Sequence, residues 1–164
     1  MMTMRFGLGY DCHTFGADRP LRLGGVEIPN SKGLTGHSDG DALAHAVIDA
    51  LLGATALGDI GQLFPDDDPQ WEGADSMVLL ADVRNRVTAS GYAVVNIDAT
   101  IITEAPRLAP YTAVMRDCLA EALEVPVSAV SVKAKTNEKM DAVGRGEGLQ
   151  VFAIASVQAT GTAR

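Results

Sequence analysis

Cysteine and aromatic residues are scarce in this 164-residue chain, and long apolar runs are absent. Two cysteines, Cys12 and Cys118, are too few for a disulfide scaffold. No stretch reaches the roughly 18 uninterrupted apolar residues of a membrane span. The N-terminal sequence also lacks the charged-then-apolar pattern of an export signal. These absences predict a soluble, cytoplasmic protein with no membrane partner.

Basic residues are outnumbered, since 13 lysines and arginines face 21 aspartates and glutamates, which gives a formal net charge of −8. A chain this acidic is a poor general nucleic-acid binder, because phosphate backbones demand a basic face. The charge does not exclude a phosphorylated substrate, because bound divalent ions can supply positive charge at a local site. The apolar fraction of 47% excludes global disorder, and the length suits one domain over residues 1–164.

The apolar periodicity alternates between strand and helix along the chain. The strand pattern occurs in five segments, at residues 4–10, 21–28, 92–102, 129–135 and 149–157. Helical stripes run over 38–58, from Met77 to Gly91, and from Tyr111 to just before Pro126. They predict an α+β fold, a two-layer sandwich with a mixed β-sheet and helices on one face. The opposite sheet face then needs a partner, which favours an oligomer assembled through the sheets.

The first of these helical segments is predicted to be buried. Ser38 and Asp41 have the spacing of a capping box, and Gly58 supplies a C-terminal stop. The residues between are apolar almost all round except for Asp41, His45 and Asp49, which lie four apart and share one stripe. Buried polar groups need partners, and for a lone histidine a hydrogen-bonded structural network is the ordinary interpretation.

A second histidine indicates a metal site instead. Asp11 and His13 lie two apart at the end of the first predicted strand and share one face, while Cys12 lies on the other as a small buried residue. With His45 they form an Asp-His-His set with a vacant fourth position, as in catalytic zinc sites. Iron and other divalent ions suit the same set. Cys12 is the competing ligand, but only if the strand breaks its alternation.

The groups around His45 predict how such a site is supported. Asp41 or Asp49 is expected to accept a hydrogen bond from the other ring nitrogen of His45. His37 and Ser38 lie at the helix start, where free N–H groups and the positive end of the dipole favour an anion. An anion site close to a metal ligand indicates phosphate chemistry.

Two further segments are predicted to be functional loops. Asp59-Ile-Gly61 and Phe64-Pro-Asp-Asp-Asp68 lie in a stretch punctuated by glycine and proline. The acidic triplet there is either a solvated turn or a hydroxyl or metal contact. The stretch Lys133-Ala-Lys-Thr-Asn-Glu138 follows a predicted strand and places phosphate donors beside a ligand for a hard cation.

Six motifs, taken together and in this order, resemble the 2-C-methyl-D-erythritol 2,4-cyclodiphosphate synthase family over nearly the whole chain. They are Gly9-Tyr-Asp-Cys-His13, His37-Ser-Asp-Gly-Asp41 followed by His45, Asp59-Ile-Gly61 with Phe64-Pro-Asp66, Ala105-Pro-Arg107, Lys133-Ala-Lys-Thr-Asn-Glu138 and Gly144-Arg-Gly-Glu-Gly148. The resemblance implies conversion of 4-diphosphocytidyl-2-C-methyl-D-erythritol 2-phosphate into the 2,4-cyclodiphosphate with release of CMP. That reaction belongs to non-mevalonate isoprenoid biosynthesis.

The same resemblance implies the metals and the assembly. Zinc would be held by Asp11, His13 and His45. A second divalent ion, Mg²⁺ or Mn²⁺, would lie near Glu138. The family forms homotrimers with active sites at subunit boundaries, which agrees with the uncovered sheet face inferred from periodicity.

The resemblance also implies roles for individual residues. His37 and Thr136 would position and stabilise the transferring phosphoryl group. The sugar alcohol and ribose would be lined by Asp59, Ile60, Gly61, Phe64, Pro65, Asp66, Asp67 and Asp68. The cytidine would be bordered by Thr103, Glu104, Ala105, Pro106, Arg107, Leu108 and Ala109. Further substrate contacts would come from Ser38, Lys135, Asn137 and Arg145.

Two other functions fit part of the sequence. A two-histidine, one-carboxylate set also suits an iron oxygenase, but that activity leaves the segment from Lys133 to Glu138 unexplained. A trimeric module that binds metal or nucleotide without catalysis would explain the same motifs. Turnover of the substrate separates this module from the enzyme.

Overall fold

The computed structural model describes residues 3–161 and contains seven strands and five α-helices in that range. The strands are β1 (Met4–Ala17), β2 (Leu21–Leu23), β3 (Val26–Ile28), β4 (Gly33–Leu34), β5 (Tyr92–Ile102), β6 (Val130–Lys135) and β7 (Gly148–Ala159). The helices are α1 (Ala42–Thr55), α2 (Ile60–Leu63), α3 (Ser76–Ala89), α4 (Thr112–Leu123) and α5 (Asp141–Gly144). None of these helices is long and apolar enough to cross a membrane.

Five of the strands form one mixed sheet in the order β4-β1-β7-β5-β6. Strand β7 pairs antiparallel with both β1 and β5, whereas β5 and β6 are parallel neighbours joined through α4. Strands β2 and β3 form a separate hairpin. Helices α1, α3 and α4 share one apolar core with the sheet, so the predicted α+β class, with a mixed sheet and helices on one face, is confirmed.

Helix α1 packs unusually close to β1 because two glycines line its path. A Cβ on Gly7 would lie 2.0 Å from the carbonyl oxygen of Ala50, and one on Gly9 would lie 1.8 Å from that of Ala46. Both distances are impossible for real atoms, so only glycine permits this contact. The helix is buried on nearly every side, as its all-round apolar sequence predicts.

The ends of α1 differ from the sequence prediction. Asp41, not Ser38, is the N-cap, and its carboxylate accepts the Ala44 N–H at 3.0 Å. The same carboxylate accepts two backbone N–H groups from the β2–β3 turn, those of Gly24 at 2.8 Å and Gly25 at 2.7 Å. The capping-box prediction was wrong because this buried carboxylate satisfies helix and turn together.

The first strands also differ from prediction in their limits. Strand β1 continues through Asp11 and His13 to Ala17 rather than ending before them. Alternation therefore persists and places Cys12 on the opposite face, but that face is exposed, so the prediction of a buried Cys12 was wrong. The single strand predicted over 21–28 is a hairpin, because Gly24 and Gly25 adopt positive φ angles of 59° and 76° and turn the chain.

The sheet face opposite the helices exposes large apolar side chains. Phe6 and Leu8 of β1 are 68% and 66% exposed, and Phe152 and Ile154 of β7 are 40% and 49% exposed. Leu8 pairs directly with Ile154, so the exposed groups form a continuous patch. A contiguous exposed apolar patch is typical of an interaction surface, which agrees with the predicted need for a partner.

The contact between β1 and α1 predicts a strong effect of Gly9→Ala. The new methyl group would overlap the Ala46 carbonyl and force the helix away from the sheet, so we expect the free energy of unfolding to fall by about 3 kcal/mol. Gly53→Ala is the matched control, because Gly53 lies in α1 with nothing closer than 4.0 Å to its added Cβ. The control should gain up to about 1 kcal/mol from helix propensity. Equal effects in urea unfolding would contradict the close-packing argument.

Candidate active site

Strand β1 and helix α1 bring three metal-ligand groups together. His13 Nε2 and His45 Nδ1 lie 2.9 Å and 3.0 Å from the same oxygen, Oδ2 of Asp11. The three ligand atoms all fall within 4.8 Å of one another, and within residues 3–161 they form the one cluster of three or more such groups that could hold an ion. The predicted Asp-His-His set is therefore assembled in space.

The chemistry of these donors fits a divalent metal. His13 Nε2 is buried and has no hydrogen-bond partner of acceptable geometry within the described residues, although Asp11 is close to it. A buried, unsatisfied ring nitrogen is costly without a ligand. A carboxylate and two imidazoles converging on one point match the ligands that catalytic zinc sites use.

The proximity of Asp11 and the histidines also shifts their pKa values. Burial alone would raise the pKa of Asp11, but the close His13 and His45 rings and their charges lower it to about 2. Burial alone would lower the pKa of His45, but the Asp11 hydrogen bond and the negative charges of Asp11, Asp41 and Asp39 raise it. The Asp11 carboxylate is thus ionised throughout the neutral range, as a metal ligand must be.

The second ring nitrogen of His45 does not contact either aspartate of the helical stripe. Its Nε2 lies 2.9 Å from Ser76 Oγ and 3.1 Å from Ser38 Oγ. The predicted role of Asp41 and Asp49 was wrong because backbone groups occupy both carboxylates. Asp41 caps α1, and Asp49 accepts the N–H of Ile60 at 2.8 Å.

A cavity of about 370 Å³ opens beside the three ligand groups. It is lined by His13, Gly36, His37, Ser38, His45, Ile60, Gly61, Phe64, Asp66, Trp71 and Leu79. The His37 ring lies in the wall, with Nε2 3.3 Å from the Asp68 carbonyl oxygen. Phe64 and Trp71 form an edge-to-face pair with ring centroids 5.0 Å apart. The cavity therefore combines polar groups at the metal end with an aromatic wall.

The predicted segment from Asp59 to Asp68 contributes to this cavity unevenly. Ile60, Gly61, Phe64 and Asp66 line it, whereas Asp59 caps α2 by accepting the Gln62 N–H at 2.9 Å. Asp68 caps the short 3₁₀ turn that follows, accepting the Gln70 N–H at 3.0 Å. Neither Pro65 nor Asp67 lines the cavity.

A second cavity, of about 420 Å³, lies at the β5–β6 end of the sheet. It is lined by Thr103, Glu104, Pro106, Arg107, Leu108, Ala109, Ala134, Lys135 and Thr136. The residues predicted to border the cytidine thus line this one cavity, except for Ala105, which lines a neighbouring surface cleft. The Glu104 carboxylate accepts backbone N–H groups of Asn137 at 2.7 Å and Lys139 at 3.2 Å, so it shapes the loop after β6.

Glu138 and Arg145 lie outside the three-ligand cluster. Thr136 Oγ1 donates to Glu138 Oε1 at 3.1 Å, which places that carboxylate beside the second cavity. The exposed Arg145 guanidinium pairs with Glu147 at 2.6 Å. Arg145 lines neither of the two cavities.

The two cavities are separate in one protomer. No described residue lines both of them. Asp11 and Ala134 occupy one row of the sheet, but β7 and β5 lie between their strands. Three strand spacings amount to about 14 Å. The metal-ligand group and the loop that carries Thr136 are therefore two separate groups of residues within the chain, called here the first and the second half-site.

Comparison with known proteins identifies the family. The model of the YgbB family matches residues 4–158, which is almost the entire chain. The chain belongs to the YgbB family. Its curated relatives of high similarity carry the name 2-C-methyl-D-erythritol 2,4-cyclodiphosphate synthase, so the resemblance inferred from the six motifs is confirmed.

Individual family members align over nearly the full length of the chain. The synthase of Chromohalobacter salexigens is 52% identical over 161 residues, which cover 98% of this chain and 99% of that protein. The synthase of Thermosynechococcus vestitus is 52% identical over 158 residues, covering 96% and 98%.

Solved structures of family members agree with the fold. The bifunctional IspDF of Campylobacter jejuni superposes with a TM-score of 0.94 at 40% identity, over 97% of this chain and 43% of that longer chain. A 2C-methyl-D-erythritol-2,4-cyclodiphosphate synthase in its CDP-bound form superposes with a TM-score of 0.85 at 37% identity, over 93% and 99%. IspF of Plasmodium falciparum, in a CDP complex, gives 0.83 at 31% identity, over 95% and 96%.

Sequence reasoning missed several residues of the first half-site. The His45 ring contacts Ser76, which in turn contacts Asp39. The cavity is also lined by Trp71 and Leu79. Ser76 follows the N-cap of α3, so its sequence context indicates a helix start and nothing more. No local pattern links it to His45, because the contact comes from packing of α3 beside α1.

The shifted pKa values predict how the metal-free protein responds to pH. His45 has a raised pKa in the fold, so its ion pair with Asp11 stabilises the protein below about pH 6.5 and weakens as pH rises through the raised value. Asp11 has a lowered pKa, so its contribution disappears only as pH falls from about 4 towards 2. In chelator, Asp11→Asn should therefore cost more stability near about pH 5.5 than near about pH 8.5. Urea titrations at both values test this, and an equal cost would contradict it.

Proposed function

We propose that this chain converts 4-diphosphocytidyl-2-C-methyl-D-erythritol 2-phosphate into 2-C-methyl-D-erythritol 2,4-cyclodiphosphate and CMP. Membership of the YgbB family and relatives of that name at 52% identity support the activity. The observation that carries the proposal is the convergence of Asp11, His13 and His45 beside a cavity. This activity accounts for both half-sites, whereas an iron oxygenase accounts for one.

Two divalent ions belong to the proposed site. Asp11, His13 and His45 would hold Zn²⁺, which when bound supplies positive charge to phosphate oxygens as a Lewis acid. Glu138 would hold the second ion, Mg²⁺ or Mn²⁺. One carboxylate is sufficient for such an ion because Mg²⁺ is commonly held by one or two carboxylates together with substrate phosphates.

The reaction itself needs no protein nucleophile. An oxygen of the substrate's 2-phosphate forms a bond to the β-phosphorus, and the bond from that phosphorus to the bridging oxygen breaks. CMP leaves with the electron pair of the broken bond. Catalysis then consists of holding the substrate folded, with its attacking oxygen in line, and stabilising charge on the phosphoryl group.

Residues of the two half-sites would divide this work. His37, in the wall of the first cavity, and Thr136, in the second, would position the phosphoryl group from opposite sides. Ser38 would add a hydroxyl donor, and Lys135 and Asn137 would bind the diphosphate. Each is placed at a cavity wall or in the loop next to it.

The organic parts of the substrate would occupy both cavities. The sugar alcohol and ribose would lie along residues 59–61 and 64–68, and the cytidine along residues 103–109. Arg107 offers a cation at the second cavity. Arg145 is a predicted substrate contact, although its guanidinium pairs with Glu147.

A homotrimer would join the half-sites of different protomers. The apolar patch of Phe6, Leu8, Phe152 and Ile154 supports burial of the open sheet face against other copies. The separation of the two cavities within one protomer supports sites completed at subunit boundaries. The non-catalytic trimeric module is the alternative that turnover excludes. A cytoplasmic location stays a prediction.

Purified protein should release CMP from the substrate and lose this activity in chelator. His45→Ala removes a zinc ligand, so we expect turnover to fall by about 100-fold or more, with the circular dichroism spectrum unchanged. Chromatographic detection of CMP measures the rate. Thr88→Ala is the control, because Thr88 is exposed and its hydroxyl donates to the Arg84 carbonyl within α3 at 3.0 Å. Unchanged CMP release by a folded His45→Ala variant would contradict the assigned metal site.

A further inference from the structure

We propose that Ser76 and Asp39 are positioning residues that orient His45 for the metal through a hydrogen-bond relay. The inference rests on the metal centre of the proposed function. It concerns the side of the imidazole that faces away from the other two ligands. Neither residue touches Asp11 or His13, so any effect on the metal must pass through His45.

The relay is continuous from carboxylate to imidazole. Ser76 is fully buried, and its Oγ lies 2.9 Å from His45 Nε2 and 2.5 Å from Asp39 Oδ1. Asp39 Oδ2 also accepts the backbone N–H of Ser76 at 3.2 Å. Two contacts between the same pair of residues fix the carboxylate against the start of α3.

The positions of protons follow from the acceptors. Asp39 is an acceptor when ionised, so the Ser76 hydroxyl donates its proton to it. The lone pairs of Ser76 Oγ are then left to accept from His45 Nε2–H. Without a metal, His45 Nδ1 faces the Asp11 carboxylate at 3.0 Å and donates its proton to it. Because the relay keeps the other proton on Nε2, loss of the Nδ1 proton on metal binding leaves the free lone pair on Nδ1, the nitrogen inside the cluster. The relay thus selects the tautomer that can bind a metal in the cluster.

Ser38 is the competing partner of the same nitrogen. Its Oγ lies 3.1 Å from His45 Nε2, but Ser38 is only half-buried and receives the Gly40 N–H at a long 3.4 Å. Its hydroxyl can rotate, because no carboxylate within hydrogen-bond distance holds it among the described residues. Ser76 has its proton committed to Asp39 and is shielded from water, so it carries the orienting role.

Metal affinity tests the relay without reference to turnover. Metal-free protein and its variants are titrated with Zn²⁺ against a competing chelator, and with Co²⁺ followed by its visible spectrum. Ser76→Ala and Asp39→Asn should each weaken Zn²⁺ binding by roughly 10- to 100-fold. Ser76→Thr restores a hydroxyl and should recover most of the affinity. Ser90→Ala is the matched control, since Ser90 is the C-cap of α3 and its hydroxyl donates to the Val87 carbonyl at 2.8 Å.

The outcomes separate the relay from the proposed function. Zinc affinities of Ser76→Ala and Asp39→Asn within about twofold of the parent would overturn the relay, and so would a larger loss in Ser38→Ala than in Ser76→Ala. If Ser76→Ala does not fold, Asp39→Asn gives the same test with the serine intact. A parent protein that binds Zn²⁺ tightly but releases no CMP would overturn the proposed function and leave the relay standing.

Discussion

The close packing of α1 on β1 is the constraint on which the site depends. Gly7 and Gly9 let the helix backbone approach the strand at distances that no side chain would allow. The same strand face carries Asp11 two residues beyond Gly9, and the same helix carries His45 directly before Ala46. A helix held even slightly further out would separate the carboxylate from the imidazole, so the fold and the metal-ligand geometry share one cause.

The positions of the carboxylates explain part of the acidic composition. Asp41, Asp49 and Asp39 accept backbone or hydroxyl protons around α1, and Asp11 is available to an ion. The carboxylates that give the net charge of −8 therefore include structural hydrogen-bond acceptors as well as groups on the solvated surface. Phosphate binding would rely on divalent ions and a few local cations, because local charge decides binding at a metal site whereas net charge governs long-range attraction.

Local periodicity predicted much of the fold and part of the site. Strand alternation placed Asp11 and His13 on one face, and helical spacing placed His45 on a buried stripe, because both patterns depend only on neighbours in sequence. Ser76 escaped prediction because its contact with His45 arises from packing of two helices distant in sequence. Alternation also placed Cys12 on the opposite face correctly, but it does not reveal that this face is uncovered. Such features depend on tertiary contacts, and these contacts produce no periodic pattern in the sequence.

Subunit complementation tests the central claim, that one active site needs half-sites from two protomers. His45→Ala disables the first half-site and Thr136→Ala the second, so each variant alone is expected to be inactive. Mixed trimers, coexpressed with two different tags and purified through both, contain one site with both halves intact. Their CMP release should reach roughly one third of the parent rate, from one intact site in three. Mixed trimers as inactive as the single variants would contradict the account.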